Sequence, residues 1–362
     1  MPSLELTAKD FGQFGEPSGT FCLVTGEADH GDIRVRPDPG YQRVLALTLP
    51  AGAALADLLV NEVPADAHVL VACPGQFLDS PAPELLGQRK LAVLPAGSTP
   101  LTAAQVHYYL RAAARSDVRG QDQTAREFFE QVETSDRLLF IDDGTGSEAE
   151  FDHTAGDCVW NQQAGVLAPG EQQLAPGGKL SVMPAEINTF APEARLLGLT
   201  GTLTLSGWPI VHRHSDPGDE AEQSDLFTRL ARMVSHPVEL TVVSGVIEAV
   251  TTADNAARPA VEALDGLLTE DPRYRVVWEL GFGINTDMDA LPANCGPNEV
   301  YGARSGVLHL GIGITPRTRF ALAFLCPRSS VLTADGTAVL GRRKDVPRGQ
   351  LNRVSSAGCG CH

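Results

Sequence analysis

WELGFGIN, residues 278–285, sets a single carboxylate, Glu279, between Trp278 and Leu280 and then turns through Gly281 and Gly283 to Asn285. An acid in an apolar strand beside flexible backbone is how a fold presents a metal ligand or a general base. Two other stretches have the same make-up: MPAEINTFAP carries Glu186, and GVLHLGIG carries His309. Each such intrusion costs on the order of several kcal/mol unless the group is paired, hydrogen-bonded or ligated. Three of them in one half of the chain predict a shared site.

The surroundings of these stretches set the fold class. From residue 180 onward strands dominate: KLSVMPAEI, GTLTLSGWPIVH, VELTVVSGVIEAV, YRVVWELGFGI and GVLHLGIGI. Two helices interrupt them, one over 224–234 with Leu226, Phe227, Leu230 and Val234 on one face, and one over 255–268 behind Asp254 as a cap. The first third alternates RVLALTL (43–49), HVLVACPG (68–75) and KLAVLPAG (90–97) with helical patterns. In TAAQVHYYLRAAARS the residues Val106, Tyr109, Leu110 and Ala113 recur at helical spacing. That alternation predicts a small α/β domain with a mainly parallel sheet. Between 115 and 180 a helix bearing Phe128, Phe129 and Val132 leads to DRLLFIDD, after which glycine and proline punctuate GTGSEAEFDHTAGD, APGEQQ and APGGK. The expected organisation is an α/β domain over 1–135, a β-rich α+β domain over 136–340, and a basic, cysteine-containing tail over 341–362.

Composition narrows the function. A chain of 362 residues exceeds the usual single domain, and 43% hydrophobic with 20% charged residues fits a soluble globular protein. The net charge of -17 argues against nucleic acid and for a basic or neutral partner. No stretch approaches the roughly 20 apolar residues that span a bilayer, and the first residues lack the basic and apolar regions of a secretory signal, so the expected location is the cytoplasm with no membrane contact. Seven irregularly placed cysteines fit reduced thiols. The closing GCGCH offers Cys359, Cys361 and His362 to a metal, but a flexible tail is a poor cage. The chain has no G-x-S-x-G elbow, H-E-x-x-H, C-x-x-C or P-loop. His212, His214 and Asp216 alternate as metal ligands on one strand face can, although a solvated strand end running into the acidic connection DPGDEAEQSD (216–225) is the simpler reading.

The motifs carry a family resemblance over residues 136–340. SVMPAEINTFAPEARLLGLTGTLTL, VELTVVSGVIEAV, YRVVWELGFGINTDM and GVLHLGIGI, with DRLLFIDDGTGSEAEFDH before them, resemble in order and spacing the aminopeptidase T-type metalloaminopeptidases, a family that includes iron-dependent dihydroxypyridine dioxygenases. The resemblance implies that fold for the second domain and a two-fold homodimer. It puts Glu186, Glu279 and His309 at ligand positions. The departures are as informative: the family's next strand supplies a histidine and an aspartate where this chain has Ala321 and Ala323 in ALAFL. The acid expected shortly before His309 falls near Gly302 or Ala303, with Glu299 a few residues too early. A two-metal hydrolase needs ligands for both ions, so the three positions read as vestigial, with no metal and no cofactor expected.

A peptidase cleft without its metal still fits an extended peptide. The chain also resembles the peptide-binding proteins of crocagin-type biosynthesis, which are non-catalytic and guide modification of a ribosomal precursor. That resemblance implies a precursor or leader peptide and a modifying enzyme as partners. The cleft residues expected to hold the peptide are Glu186, Trp208, Glu279, Asn285 and His309. Besides a structural subunit that only assembles with a partner, two alternatives stand beside this reading. One is a single-metal Fe or Zn enzyme, an aminopeptidase or a ring-cleaving dioxygenase. The other is internal pairing of the buried carboxylates with Arg304, Arg317 or Arg319, which would leave no site.

Overall fold

RVLALTL, HVLVACPG and KLAVLPAG each become a strand of one parallel sheet. The computed structural model describes residues 3–27, 31–154, 157–185, 196–214 and 219–341. In the first third it has strands β1 (Leu4–Thr7), β2 (Thr20–Gly26), β3 (Ile33–Arg36), β4 (Arg43–Leu49), β5 (His68–Ala72) and β6 (Lys90–Val93). Helices α1 (Leu55–Glu62), α2 (Pro83–Leu86), α3 (Ala103–Arg115) and α4 (Val118–Val132) accompany them. β5 is buried throughout, as its unbroken apolar run requires in a sheet covered on both faces. α3 begins at a capping box in which Thr102 and Gln105 satisfy each other's backbone N–H, and its predicted stripe of Val106, Tyr109, Leu110 and Ala113 is buried.

The remaining strands are β7 (Arg137–Asp142), β8 (Glu148–Asp152), β9 (Cys158–Gln163), β10 (Gln172–Leu174), β11 (Lys179–Pro184), β12 (Gly198–Leu205), β13 (Pro209–Arg213), β14 (Val238–Val243), β15 (Val246–Thr251), β16 (Val277–Gly283), β17 (Val307–Ile312), β18 (Phe320–Cys326), β19 (Ser329–Thr333) and β20 (Ala338–Leu340). Helices α5 (Glu220–Leu230) and α6 (Arg258–Glu270) lie among them. The parallel sheet runs β10-β6-β5-β2-β4, its outer strand β10 arriving from further along the chain, while β1 and β3 form a separate parallel pair. Two antiparallel sheets follow, β13-β18-β17-β16-β11-β9 and β15-β14-β12-β8-β7-β19-β20. The described residues thus form a mixed α and β structure with several sheets and six α-helices.

The antiparallel sheets share one apolar core. Leu180 and Val182 of β11, Leu280 and Phe282 of β16, Leu308 and Leu310 of β17 and Phe324 of β18 all turn into it, against Leu138, Phe140, Leu203 and Leu240 of the other sheet. Because side chains alternate along a strand, the six-stranded sheet has a second face carrying the intervening residues. That face holds Lys179, Ser181, Glu279, Gly281, His309, Gly311 and His212.

Several expectations change at element level. GTLTLSGWPIVH is two strands, not one: β12 belongs to the seven-stranded sheet and β13 to the six-stranded sheet. The chain crosses between them at Gly207, where a Cβ would lie 2.5 Å from the Leu325 carbonyl oxygen. The acidic connection is helical from Glu220, because Glu220 and Glu222 in the first turn of α5 suit its positive end. The five cysteines among the described residues form no disulfide. No described helix is long and apolar enough to cross a membrane.

Candidate functional site

Glycines on β16 and β17 make the site possible. β16 pairs with β17 in a register that sets Gly281 opposite His309 and Glu279 opposite Gly311. A Cβ on Gly281 would fall 1.8 Å from His309 Nε2, so only glycine leaves room for the imidazole. A Cβ on Gly283 would fall 2.2 Å from the Tyr301 carbonyl oxygen, so the same strand lets the short helix Gly296–Val300 cross over the sheet. That helix is held from the other side by α3, where Tyr109 donates to Asn298 Oδ1 at 2.8 Å. It delivers Glu299 onto the face.

The result is a chain of charged and polar groups across the sheet. His309 Nε2 lies 3.6 Å from Glu279 Oε2. Lys179 Nζ lies 3.0 Å from Glu279 Oε1 and 3.2 Å from Oε2, and makes a close ion pair with Glu299 Oε2. His212 Nε2 lies 2.7 Å from Glu299 Oε1, and His212 Nδ1 lies 2.9 Å from Ser98 Oγ. The group is dry, with the Lys179 side chain 12% exposed and that of Glu279 6%.

Burial alone would raise the Glu279 carboxyl; the Lys179 charge and the His309 contact outweigh it and hold it at about 2. Glu299 is likewise pushed up by burial and pulled further down by Lys179 and His212, so it sits well below the usual carboxylate range. Burial works against the Lys179 charge, but Glu279 and Glu299 win and its pKa stands above the ordinary lysine value. The centre is therefore two carboxylates and one ammonium.

Metal coordination can be tested against these positions. One donor atom each from Glu279, Glu299 and His309 lies within 4.8 Å of the others, which is the spacing of a cation site. The cation is already supplied: the Lys179 ammonium bonds both carboxylates. Ala323 stands opposite Gly311 and Ala321 opposite His212, so the neighbouring strand offers no donor. The residues fit an ammonium, and they do not fit a metal ion as well.

The sequence-predicted residues separate accordingly. Glu279 and His309 come together as expected. Glu186 and Asp216 lie outside the described residues, and His214 follows β13 without joining the donor group. Asn285 is fully buried, its amide donating to Ser116 Oγ at 3.0 Å and to the Gly177 carbonyl at 2.8 Å, and it ties the end of β16 to the loop before β11. Trp208 is half-buried and stacks on Phe227 of α5 at 6.4 Å. His212 is not a solvated strand end: its side chain is 18% exposed and bonded at both nitrogens. The pairing cation is a lysine, while Arg319 bonds Asp219 and Glu222, and Arg304 and Arg317 are exposed. Lys179 was the residue sequence reasoning missed, and Glu299 was set aside there as lying a few residues too early for the expected acid. Alternation along KLSVMP puts Lys179 on the polar face with Ser181, which was a readable signal. Glu299 becomes legible only once the crossing helix is seen.

A groove runs beside this chain. A cavity of about 410 Å³ is lined by Asn161 and Gln163 of β9, Lys179, Ser181 and Met183 of β11, and Gln172 of β10. It continues past Asn161, Gln163 and Gln172 into a second cavity of about 540 Å³. β9 and β10 are outer strands of their sheets, brought together where the Leu174 N–H donates to Gln163 Oε1 at 3.1 Å.

Comparison with known proteins adds the family. The crocagin biosynthetic protein CgnE/B family matches residues 54–327. The chain belongs to that family. Membership places it in natural-product biosynthesis, in line with the crocagin-type resemblance read from the sequence. No curated protein matches the chain. Among solved structures it is similar to the 2,5-dihydroxypyridine dioxygenase from Pseudomonas putida KT2440, at 15% identity and a TM-score of 0.51, with 89% of this chain and 90% of that chain covered. It is also similar to wild-type AmpT from Thermus thermophilus, at 11% identity and a TM-score of 0.40, with 89% and 92% covered. At such identities the likeness to the dioxygenase speaks to the fold alone, and this family member shares that fold with Lys179 between its carboxylates.

Proposed function

We propose that the protein holds a precursor peptide for modification by another enzyme of its pathway, and that its aminopeptidase-like centre has exchanged metal chemistry for structural use of the same carboxylates. The observation that carries this reading is the Lys179 ammonium bonded to both Glu279 and Glu299, beside a groove that remains open. An internal ammonium removes both the Lewis acid and any vacant coordination position, while the groove keeps what an extended peptide needs: two strand edges and a lining largely of neutral amides. The net charge of -17 draws basic segments at long range, and amide side chains engage the main chain at short range. We place the peptide against Asn161, Gln172 and Met183, with Glu279 beneath them. The homodimer suggested by family resemblance belongs to the same proposal, since β15 and β20 are outer strands that a second copy would cover.

The test is calorimetry with overlapping fragments of the pathway's precursor peptide. A leader-derived fragment is expected to bind in the micromolar range or tighter, and Asn161→Ala or Met183→Glu to weaken it by about 1 kcal/mol or more. Binding unchanged in both variants would move the peptide off this groove, and no binding by any fragment would end the reading.

A further inference from the structure

The outer end of the buried polar chain is a hydroxyl. Ser98 Oγ faces His212 Nδ1 at 2.9 Å and His212 Nε2 faces Glu299 Oε1 at 2.7 Å. Glu299 is ionised, so its carboxylate accepts a hydrogen bond from a protonated His212 Nε2. Nδ1 is then left with its lone pair toward the Ser98 hydroxyl. Serine, imidazole and carboxylate in sequence are the parts of an activated nucleophile. The two ring nitrogens are exchanged relative to the usual serine-hydrolase arrangement, which leaves the proton path intact. Ser98 lies in a loop after β6, outside any elbow motif, so nothing in the sequence marks it.

The arrangement is held from several sides. A Cβ on Gly97 would fall 1.7 Å from the Gln76 carbonyl oxygen, so the loop before Ser98 can take this path only with glycine. The Ser98 carbonyl accepts from the Arg213 N–H at 3.0 Å and from Gln223 Nε2 at 2.9 Å. Asn294 grips Val211, the residue before His212, through both its N–H and its carbonyl at 2.9 Å. A Cβ on Gly296 would come within 3.3 Å of His212 Cε1, so that glycine gives the imidazole its space.

Ser98 is also reachable. It is half-buried and lines a cavity of about 160 Å³ whose walls include Leu55, Phe77, Leu94 and Leu174. The N–H groups of Gly97 and Ser98 donate to no acceptor among the described residues. Two adjacent backbone donors beside a hydroxyl are what an oxyanion requires.

We infer that Ser98 is a nucleophile for the acyl group of a small uncharged oxygen ester, with His212 as its general base and Glu299 orienting the imidazole. Ser98 Oγ bonds to the carbonyl carbon while its proton passes to His212 Nδ1. The carbonyl π electrons move to oxygen, which the Gly97 and Ser98 N–H groups meet. On collapse the ester C–O bond breaks, and the alcohol leaves with the proton from Nδ1. Water then repeats the sequence on the Ser98 ester, releasing the acid and restoring the hydroxyl. The cavity is small and mainly apolar, with Gln76, Asp79 and Ser80 also on its wall, which selects a short acyl group without negative charge. This activity is independent of peptide holding and of any metal.

The experiment combines a fluorophosphonate probe with p-nitrophenyl acetate on the full-length protein. The folded wild type is expected to take one phosphonyl adduct, mapped to Ser98 by peptide mass spectrometry, and the urea-unfolded chain to take none. Ser98→Ala and His212→Gln are each expected to lower p-nitrophenyl acetate turnover about 100-fold or more, with circular dichroism checking that both remain folded. An adduct on another residue, no adduct on the folded wild type, or turnover unchanged in Ser98→Ala would overturn the proposal. Because the mapping needs only wild-type protein, it decides the question even where a variant fails to fold.

Discussion

Lys179 is the residue on which the site turns. Two carboxylates buried in one place cannot both stay ionised without a cation, and here the cation is covalently part of the chain. Lys179→Met removes it at nearly constant volume and is expected to destabilise the fold by about 3–5 kcal/mol, read as a shift in urea midpoint with unchanged slope. The pH dependence separates this cause from simple packing loss. In the wild type the folded Glu279 pKa, about 2, lies below its unfolded value. Its contribution is therefore present above the unfolded carboxylate pKa and lost as pH falls toward 2. The folded Lys179 pKa lies above its unfolded value, so its contribution holds below the unfolded lysine pKa and is lost at higher alkaline pH. In Lys179→Met the carboxyl pKa values rise above their unfolded values and the sign reverses: stability should increase as pH is lowered from 7 toward 5. A variant whose stability falls over that range would show that the carboxylates have another partner.

At the scale of elements, β16 does two things with one alternation. Its even-numbered side, Trp278, Leu280 and Phe282, is core; its odd-numbered side, Glu279, Gly281 and Gly283, is a carboxylate followed by two clearances. Gly281→Ala is expected to cost about 1–3 kcal/mol or more, because the new methyl meets the His309 ring against a sheet that cannot part; thermal unfolding checks it, and a neutral substitution would mean that His309 turns elsewhere. The strand, its carboxylate and the histidine opposite were legible in WELGFGIN and GVLHLGIG, since period-two patterning survives folding. What joins them was not. The register setting Lys179 against Gly283 is a tertiary fact, and Glu299 arrives on a helix positioned by Tyr109, far away in the chain. His212 reads as polar strand end in a linear sequence because the acidic run follows it; the loop bearing Ser98 and the helix bearing Glu299 cover it only in three dimensions. The crossing at Gly207 was hidden for the same reason, as one apolar pattern continues through a change of sheet.

On the whole molecule, a net charge of -17 and a groove lined largely by amides, with Lys179 and Glu279 paired in its floor, divide the work of recognition between range and contact. Association of a basic precursor fragment is expected to slow several-fold between roughly 50 and 500 mM salt, with dissociation nearly unchanged, in stopped-flow fluorescence. A dissociation rate carrying most of the salt effect would instead place ion pairs inside the groove. The fold is shared with the dioxygenase, while the charges at this chain's centre are balanced internally by Lys179. The most direct measurement of that balance is bound iron and zinc, by elemental analysis after incubation with each ion and gel filtration, on the wild type and on Lys179→Ala. The wild type should retain far less than one equivalent, and Lys179→Ala, with Glu279, Glu299 and His309 left facing an empty cation position, should retain clearly more. Stoichiometric metal on the wild type that is lost in Glu279→Ala would contradict the account.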